Sequence, residues 1–460
     1  MKKSLKIGIS IGSILVLGIL GGASYNQSTH FNKGIKINNT DVSGLSVDKV
    51  ISKLKNETSK NVIYVGSAKI VDAKDTTTGF TDKDTEAIKA LMKKQRTILP
   101  SDVKKNYAIV PQELDTTIRK QLKEQLKTKL TELNKTRTVA VDASSVLQDG
   151  KVSVIPAKKG NQYDVKAILA AYDKASYSSV TTLKETELQP LSADSDVIKA
   201  DTKKLDTLAA SQTVYKVQST DYTLKGSEIL KKATVKDGEY VIDTSGISEK
   251  VDEINKKQAT LNKKYDFKTA TGETVSVSGQ SYGWALGTND SVTHILAALK
   301  NGTATIDATN DKYGVGYNTY GTGYTTTTNQ GIGDTYAEVS IAQQKAWIHK
   351  DGKVVLTTDV VTGKQSTGED TTKGVWYIMY KQTPSILKGS EVGKANYSVK
   401  VDYWAQFTNS GIGFHDAGWR TNWSKSAYLK DGSGGCVNTK PEAMVTLFEN
   451  VSQNEPVIVY

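Results

Sequence analysis

The first strong signal in the hydrophobic pattern is an uncharged apolar run from Ile7 to about Ala23, preceded by Lys2, Lys3 and Lys6. That length is near the minimum for a membrane-crossing helix. The lysines are expected to keep the short N-terminus inside while the bulk crosses. A cleaved signal peptide is the rival reading, but the run exceeds a usual h-region and Gly22-Ala23-Ser24 is a poor cleavage site. The expectation is a transmembrane anchor over residues 1–24, with the remainder outside the cell.

Beyond a polar stretch at residues 25–33, the segment Gly34 to Val50 alternates like a strand, turns at Asn38 and Asn39, and offers Ser46 as a helix cap. Leu114, Ile118, Leu122, Leu126, Leu130 and Leu133 recur near helical spacing, predicting a helix within Pro111–Leu133. A second long helix is predicted from Ile247 to about Lys264. A weak repeat is visible. Val152 to Val154 precede Tyr163 and Ile168 to Ala171, and Val275 to Val277 precede Tyr282 and Ile295 to Ala298. Strand, polar turn and amphipathic helix in both copies predict two α+β modules, over residues 34–200 and 201–310. Residues 311–332, rich in Gly, Thr and Tyr without apolar periodicity, read as a linker.

From residue 333 the texture changes to short strands. Tyr336–Ile341 and Gln344–His349 alternate, Asp351-Gly352 is a hairpin turn, and Lys353–Val361, Gly374–Tyr380 and Pro456–Tyr460 follow. This predicts a mainly-β, sandwich-like domain over residues 333–460. The fold class is therefore multidomain: a transmembrane helix, two α+β modules and a C-terminal mainly-β domain.

Composition narrows the function. The 460 residues carry a net charge of +11, and nearly all the basic residues are lysine. Arg96, Arg119, Arg137 and Arg420 are the only arginines, too few for the guanidinium forks that read nucleic acid, so no nucleic-acid partner is expected. A lysine-rich surface fits an anionic membrane face or polyanionic wall polymers, solubility alone being the plainer alternative. Cys436 is the only cysteine, so no internal disulfide can form, and His30, His294, His349 and His415 supply no zinc-like cluster. No metal and no cofactor are expected.

Candidate chemistry lies at Ile412 to Asp416 and Gly432 to Asn438. Cys436 sits in a glycine-rich turn where backbone N–H groups can approach a carbonyl, with Gly435 and Cys436 as oxyanion donors. Thr439 to Glu442 reads as a capping box with Pro441 at the helix start, which would place the thiol near a helix N-terminus and favour thiolate. A lone cysteine is often a small buried hydrophobe, but this one is flanked by Gly434 and Gly435 rather than by an apolar run. His415 ends a short strand and can exchange the thiol proton, with Asp416 or a nearby carbonyl holding its other nitrogen. His294 and His349 lack such company and read as structural or surface residues. Trp404 and Trp419 could wall a pocket, core packing being the simpler reading.

These residues resemble the L,D-transpeptidase (YkuD-type) signature. His415, 17 intervening residues, then Ser433, Gly434, Gly435, Cys436 and Asn438 follow its order. Thr335 to Glu338, Val361 to Gly363, Thr372 to Gly374, Tyr403 and Trp404 extend the likeness across residues 333–460. The Gly34–Val50 and Gly272–Lys300 segments resemble peptidoglycan-binding modules that precede some such domains; a spacer stalk is the plainer alternative. The family usually has His where Gly434 stands. The resemblance implies that Cys436 attacks a tetrapeptide stem with His415 as base, that an amine of a second stem resolves the thioester into a 3→3 cross-link, and that Ser433 and Asn438 shape the pocket. Hydrolysis of the same thioester, or an inactive wall-binding protein, are the alternatives. The implied partners are peptidoglycan stem peptides and wall polymers.

Overall fold

The computed structural model describes residues 25, 27–97, 101–113, 116–175 and 180–460. The anchor expected over residues 1–24 lies outside them. Among the described residues no helix is long and apolar enough to cross a membrane. The chain divides into two compact units: one runs to Ala143 and resumes over Pro156–Ser195, and the other comprises Ser144–Ile155 and Asp196–Tyr460.

In the first unit, strands Ile35–Ile37 and Thr40–Asp41 are joined by Asn38 and Asn39 at φ of 48° and 74°, a region asparagine tolerates better than most residues. Helix Val47–Asn56 has Ser46 at its N-cap position without a side-chain hydrogen bond, and it buries Val50, Ile51 and Leu54. These pack with Ile88, Leu91 and Met92. A separate core gathers Leu122, Leu126 and Leu130 of helix Thr116–Asn134 around Tyr163, Ile168 and Tyr172. The i, i+4 spacing sets those leucines on one stripe, whereas Leu133 falls off it and is exposed. Two cores therefore stand within the range expected to hold one module.

The 34–200 boundary also needs correction. The hairpin Ser144–Gln148 and Lys151–Ile155 belongs to the second unit, where its first strand pairs with Lys232–Lys236 in a four-stranded sheet. An edge strand must pair its backbone groups somewhere, and here the partner lies about 90 residues downstream. The first copy of the apparent repeat is thereby split between units: its strand is in the second, its helix Val165–Lys174 in the first. Leu147 of the hairpin joins Leu205, Leu208, Tyr215, Val251 and Ile295 in the module core.

Residues 311–332 are packed, correcting the linker reading. Lys312 and Tyr313 pair with Leu286 and Ala285, and the Tyr324 ring meets Trp284 edge-on at 4.8 Å. The Tyr377 hydroxyl accepts the Asn318 N–H at 2.8 Å and donates to the Val315 carbonyl at 3.1 Å. Hydroxyl and glycine content, read as slack, instead satisfies a tight path with little apolar periodicity.

The C-terminal domain consists of strands β1 (Tyr336–Ser340), β2 (Lys345–Lys350), β3 (Lys353–Val361), β4 (Gly374–Tyr377), β5 (Tyr380–Gln382), β6 (Ser385–Glu391), β7 (Lys394–Val401), β8 (Trp404–Gln406), β9 (Gly413–Asp416), β10 (Val437–Thr439) and β11 (Pro456–Val459). Asp351 and Gly352, at φ of 49° and 76°, make the primed turn their sequence predicts. Nine strands form one sheet in the order β4-β11-β1-β2-β3-β10-β9-β8-β5, with β6 and β7 as a separate hairpin. The domain is mainly β as expected, but its two halves are continuous through β3, which pairs with β2 and then, at Val360 and Val361, with β10. The single strand expected over 374–380 breaks after Tyr377, because the Ile378 N–H bonds Glu455 while the Met379 N–H bonds Gln406 in the other half. Val339, Ile348, Phe407, Phe414 and Val437 share a core with Met444 and Leu447 of helix α1 (Pro441–Asn450).

Module and domain share a further core: Tyr265, Phe267, Val277 and Tyr282 pack with Val375, Tyr377, Met379 and Ile458. At its edge stands Glu338, 0 % exposed. Its two oxygens accept the Ala270 N–H at 3.0 Å each, the His349 Nε2 lies 3.1 Å away, and the Tyr460 hydroxyl donates to it. His349, stacked on Tyr336 at 4.2 Å, thus has a structural role. Glu338→Ala would leave the buried His349 and the part-buried Ala270 N–H and Tyr460 hydroxyl without their shared partner and should cost about 3 kcal/mol. Denaturant unfolding of the full chain would show an early loss of the C-terminal transition; an unchanged midpoint would refute this.

Candidate active site

Strand register assembles the site. In β9, Phe414 points into the core, so His415 faces the other side. In β10, Val437 points into the core, so Cys436 and Asn438 face the side of His415. Strands β9 and β10 run parallel with His415 opposite Asn438. Cys436, His415, Ser433, Gly434 and Asn438 consequently line one cleft of about 350 Å³, whose opposite wall is the β6–β7 hairpin.

The turn carrying the thiol is docked on Thr362–Thr371. The Ser433 N–H donates to the Thr362 carbonyl at 3.1 Å, Lys364 N–H donates to the Ser433 carbonyl at 2.8 Å, and the Thr371 hydroxyl donates to the Gly435 carbonyl at 2.6 Å. The Ser433 hydroxyl donates to the Cys436 carbonyl at 2.5 Å. The Gly435 N–H, expected as an oxyanion donor, is here donated to the Ser433 Oγ at 3.2 Å. Gly435 takes φ of +119°, and a Cβ there would lie 3.3 Å from Ile412. Gly434 has no such φ, so the demand for glycine falls on position 435.

The expected helix N-terminus at the thiol is not present. Residues 437–439 are β10, held in the sheet on both sides, and α1 starts at Pro441 with Lys440 at its N-cap and no side-chain cap bond. The intended capping box is pre-empted by sheet pairing, and dipole effects fade within the first turn. Burial instead dominates, pushing the Cys436 thiol up to about 11, opposed by the Gly413 N–H and reinforced by the charge of Glu391. The thiol's hydrogen bond is to the Gly411 carbonyl at 3.8 Å; among the described residues it makes none with His415.

His415 is 4 % exposed, and burial holds its imidazole below the usual range, so it is neutral at neutral pH. Its Nδ1 lies 2.9 Å from the Asp416 carbonyl, which fixes the proton there and leaves Nε2 as the acceptor. The Asp416 carboxylate accepts the Tyr403 N–H at 2.8 Å, so the residue serves His415 through its backbone. With the Asn438 amide turned nitrogen-first toward His415, Nδ2 lies 3.0 Å from Nε2 and Oδ1 accepts from Arg420 Nη2 and Nε at 3.0 and 3.1 Å. Arg420, also bonded to the Asp431 carbonyl at 2.6 Å, was not singled out from the sequence. Its rarity, as one of four arginines and five residues after His415, was the available signal.

Trp419 is 54 % exposed and stacks on His415 at 5.8 Å, so it walls the cleft rather than filling the core; Trp404 is buried. His294 lies on helix Thr288–Asn301, half-exposed and paired with the buried Asp311. Among the described residues no three His, Cys, Asp or Glu side chains converge as a metal site.

Residues 334–459 match the family described as the L,D-transpeptidase catalytic domain, YkuD. Residues 198–307 match the family described as "Putative peptidoglycan binding domain". No curated protein matches the chain. Among solved structures, the catalytic domain of the Enterococcus faecium L,D-transpeptidase acylated by ertapenem is similar at 39% identity over 28% of this chain and 97% of that one, with a TM-score of 0.26. A mutant of the Enterococcus faecium L,D-transpeptidase is similar at 28% identity over 56% of this chain and 98% of that one, at a TM-score of 0.45. An L,D-transpeptidase from Mycobacterium smegmatis is 21% identical over 28% of this chain and 58% of that one, at 0.25.

Two outcomes follow from the geometry. Because burial raises the thiol, iodoacetamide should alkylate resting Cys436 at a rate climbing about tenfold per pH unit from 7 to 9; a plateau near pH 7 would mean a preformed thiolate. Gly435→Ala must place a side chain at positive φ against Ile412 and should lose about 1 kcal/mol or more of stability, read by thermal denaturation, with Gly434→Ala losing less.

Proposed function

The chain belongs to the L,D-transpeptidase family, and we propose that it forms 3→3 cross-links between peptidoglycan stem peptides through a Cys436 thioester. The observation that carries this reading is the convergence of Cys436, His415 and Asn438 on one face of one cleft. The Cys436 thiol passes its proton to Nε2 of His415, and Sγ attacks the carbonyl of the third residue of a tetrapeptide stem. The bond to the terminal D-Ala breaks, and the proton leaves with the D-Ala amine. An amine of a second stem then attacks the thioester, its nitrogen bonds the carbonyl carbon, the C–S bond breaks, and one amine proton returns to sulfur. The Asp416 carbonyl steadies the imidazolium in between.

The neutral resting pair supports this order of events: proton transfer accompanies attack instead of preceding it. The thiol must displace the Asn438 amide from Nε2, or share that lone pair, when substrate binds. Residues 198–307 would hold the enzyme against wall polymer, and the apolar N-terminal run would tether it to the membrane with the domain facing the wall.

Incubation with a defined tetrapeptide tests the reading. Cross-linked dimer is the expected product; tripeptide alone would make the enzyme a carboxypeptidase, and no product would leave a wall-binding protein. Cys436→Ala should abolish dimer with the fold intact, and His415→Ala should slow its formation by about 10²–10⁴-fold. Since the Enterococcus faecium catalytic domain is acylated by ertapenem, the same compound should leave a mass adduct on this enzyme that Cys436→Ala lacks.

A further inference from the structure

The β6–β7 hairpin places a carboxylate beside the nucleophile that the first half of the reaction does not want. A Cβ at Gly434 would lie 3.0 Å from the Glu391 Cβ and 3.2 Å from its Oε2, so the Glu391 side chain lies over the glycine. Glu391 lines the cleft with Cys436, and among the described residues its carboxylate has no hydrogen bond or ion pair, although Lys394 is its register partner across the turn. The hairpin tip is held: the Val392 N–H donates to Glu369 Oε1 at 2.6 Å, and Glu369 is itself bonded by the Thr367 hydroxyl at 2.5 Å, with the Lys364 Nζ at 3.7 Å. Glu391 is thus carried by an anchored turn rather than by a free loop end.

A negative charge here disfavours the thiolate and so works against acylation. That penalty ends once sulfur is bonded to the acyl group, because a thioester is neutral. The group that next enters the cleft is a primary amine, a cation in water at neutral pH. An unpaired carboxylate beside a neutral thioester is suited to receive it.

Resting on the transpeptidase reading above, we propose that Glu391 is the docking group for the acceptor stem, its carboxylate binding the incoming primary ammonium in the space that Gly434 leaves open. The contact raises the local concentration of amine over water at the thioester. Glu391 therefore sets acceptor affinity and the division between transfer and hydrolysis. The ammonium first gives one proton to Nε2 of His415, neutral again once D-Ala has left; the resulting amine attacks the thioester, its second proton goes to sulfur as the C–S bond breaks, and His415 releases the first proton to water, so Glu391 adds no covalent step. Gly434 is the complementary half of the site, since any side chain there must displace the carboxylate.

The test uses the full chain, a tetrapeptide donor and a tripeptide acceptor with a free side-chain amine, in the wild type, Glu391→Gln and Gly434→His. Acceptor KM should rise at least tenfold in both variants, and the ratio of D-Ala released to dimer formed should rise with it. Acylation by ertapenem should be no slower in Glu391→Gln. In the wild type, acceptor KM should also rise with ionic strength. An acceptor KM within twofold of wild type in Glu391→Gln overturns the proposal. So does a matching fall in acylation and transfer, which would make the hairpin residue a general support of the cleft. A wild type that releases D-Ala and never yields dimer overturns the transferase reading itself, and the docking role with it.

Discussion

The site depends on the parallel pairing of β9 with β10. That register sets His415 opposite Asn438 and leaves Cys436 just beyond the strand end on the same face. The alternate residues Phe414 and Val437 are locked into the core, so a one-residue slip would bury the polar groups and expose the apolar ones. The core thereby specifies the geometry of the chemistry. Parallel neighbours need a long crossover, and the 20 residues between β9 and β10 supply Trp419 and Arg420 to the cleft on the way.

The same economy of contacts joins the preceding module to the sheet. The Glu338 carboxylate collects the Ala270 N–H, His349 and Tyr460, while Tyr265, Phe267 and Tyr282 lie against Val375 and Tyr377. A buried carboxylate without these partners would be strongly unfavourable, so each fixes the others. The packed path of residues 311–332 follows from the same contact, because the Tyr377 hydroxyl on β4 is already committed to Asn318 and Val315.

Local pattern made much of this legible. The Asp351-Gly352 turn, the strands around it and the leucine stripe of Thr116–Asn134 are short-range features, readable from periodicity and turn chemistry. That Cys436 and His415 share a site was implied by the resemblance of their spacing to the family signature; the residues alone showed only that a strand-end His and a turn-borne Cys can meet in a β-domain. What could not be read were long-range partners. Hairpin 144–155 looked like part of its sequence neighbourhood because nothing local reveals that Lys232–Lys236 completes its sheet. Thr439 to Glu442 satisfied a capping pattern, yet β3 and β9 claimed Val437–Thr439 for the sheet first. Arg420 and Glu391 act through side-chain reach across the cleft, which no periodicity records.

Those two residues bear on how the site holds charge. At rest the thiol and the imidazole are both neutral, each kept so by burial. Converting them to thiolate and imidazolium creates two charges in a poorly solvated cleft, where Coulomb terms are larger than in water. Arg420 opposes the imidazolium and Glu391 opposes the thiolate, while the Asp416 carbonyl favours the imidazolium and the Gly413 N–H the thiolate. The backbone groups are close and oriented; Arg420 is largely covered and reaches His415 through Asn438, and Glu391 stands across the cleft on the β6–β7 hairpin. On the mechanism proposed above, a substrate that fills the cleft removes its water and supplies a carbonyl for sulfur to attack, so charge separation becomes affordable only when it is immediately consumed. Such an arrangement keeps a lone thiol unreactive until a substrate is in place.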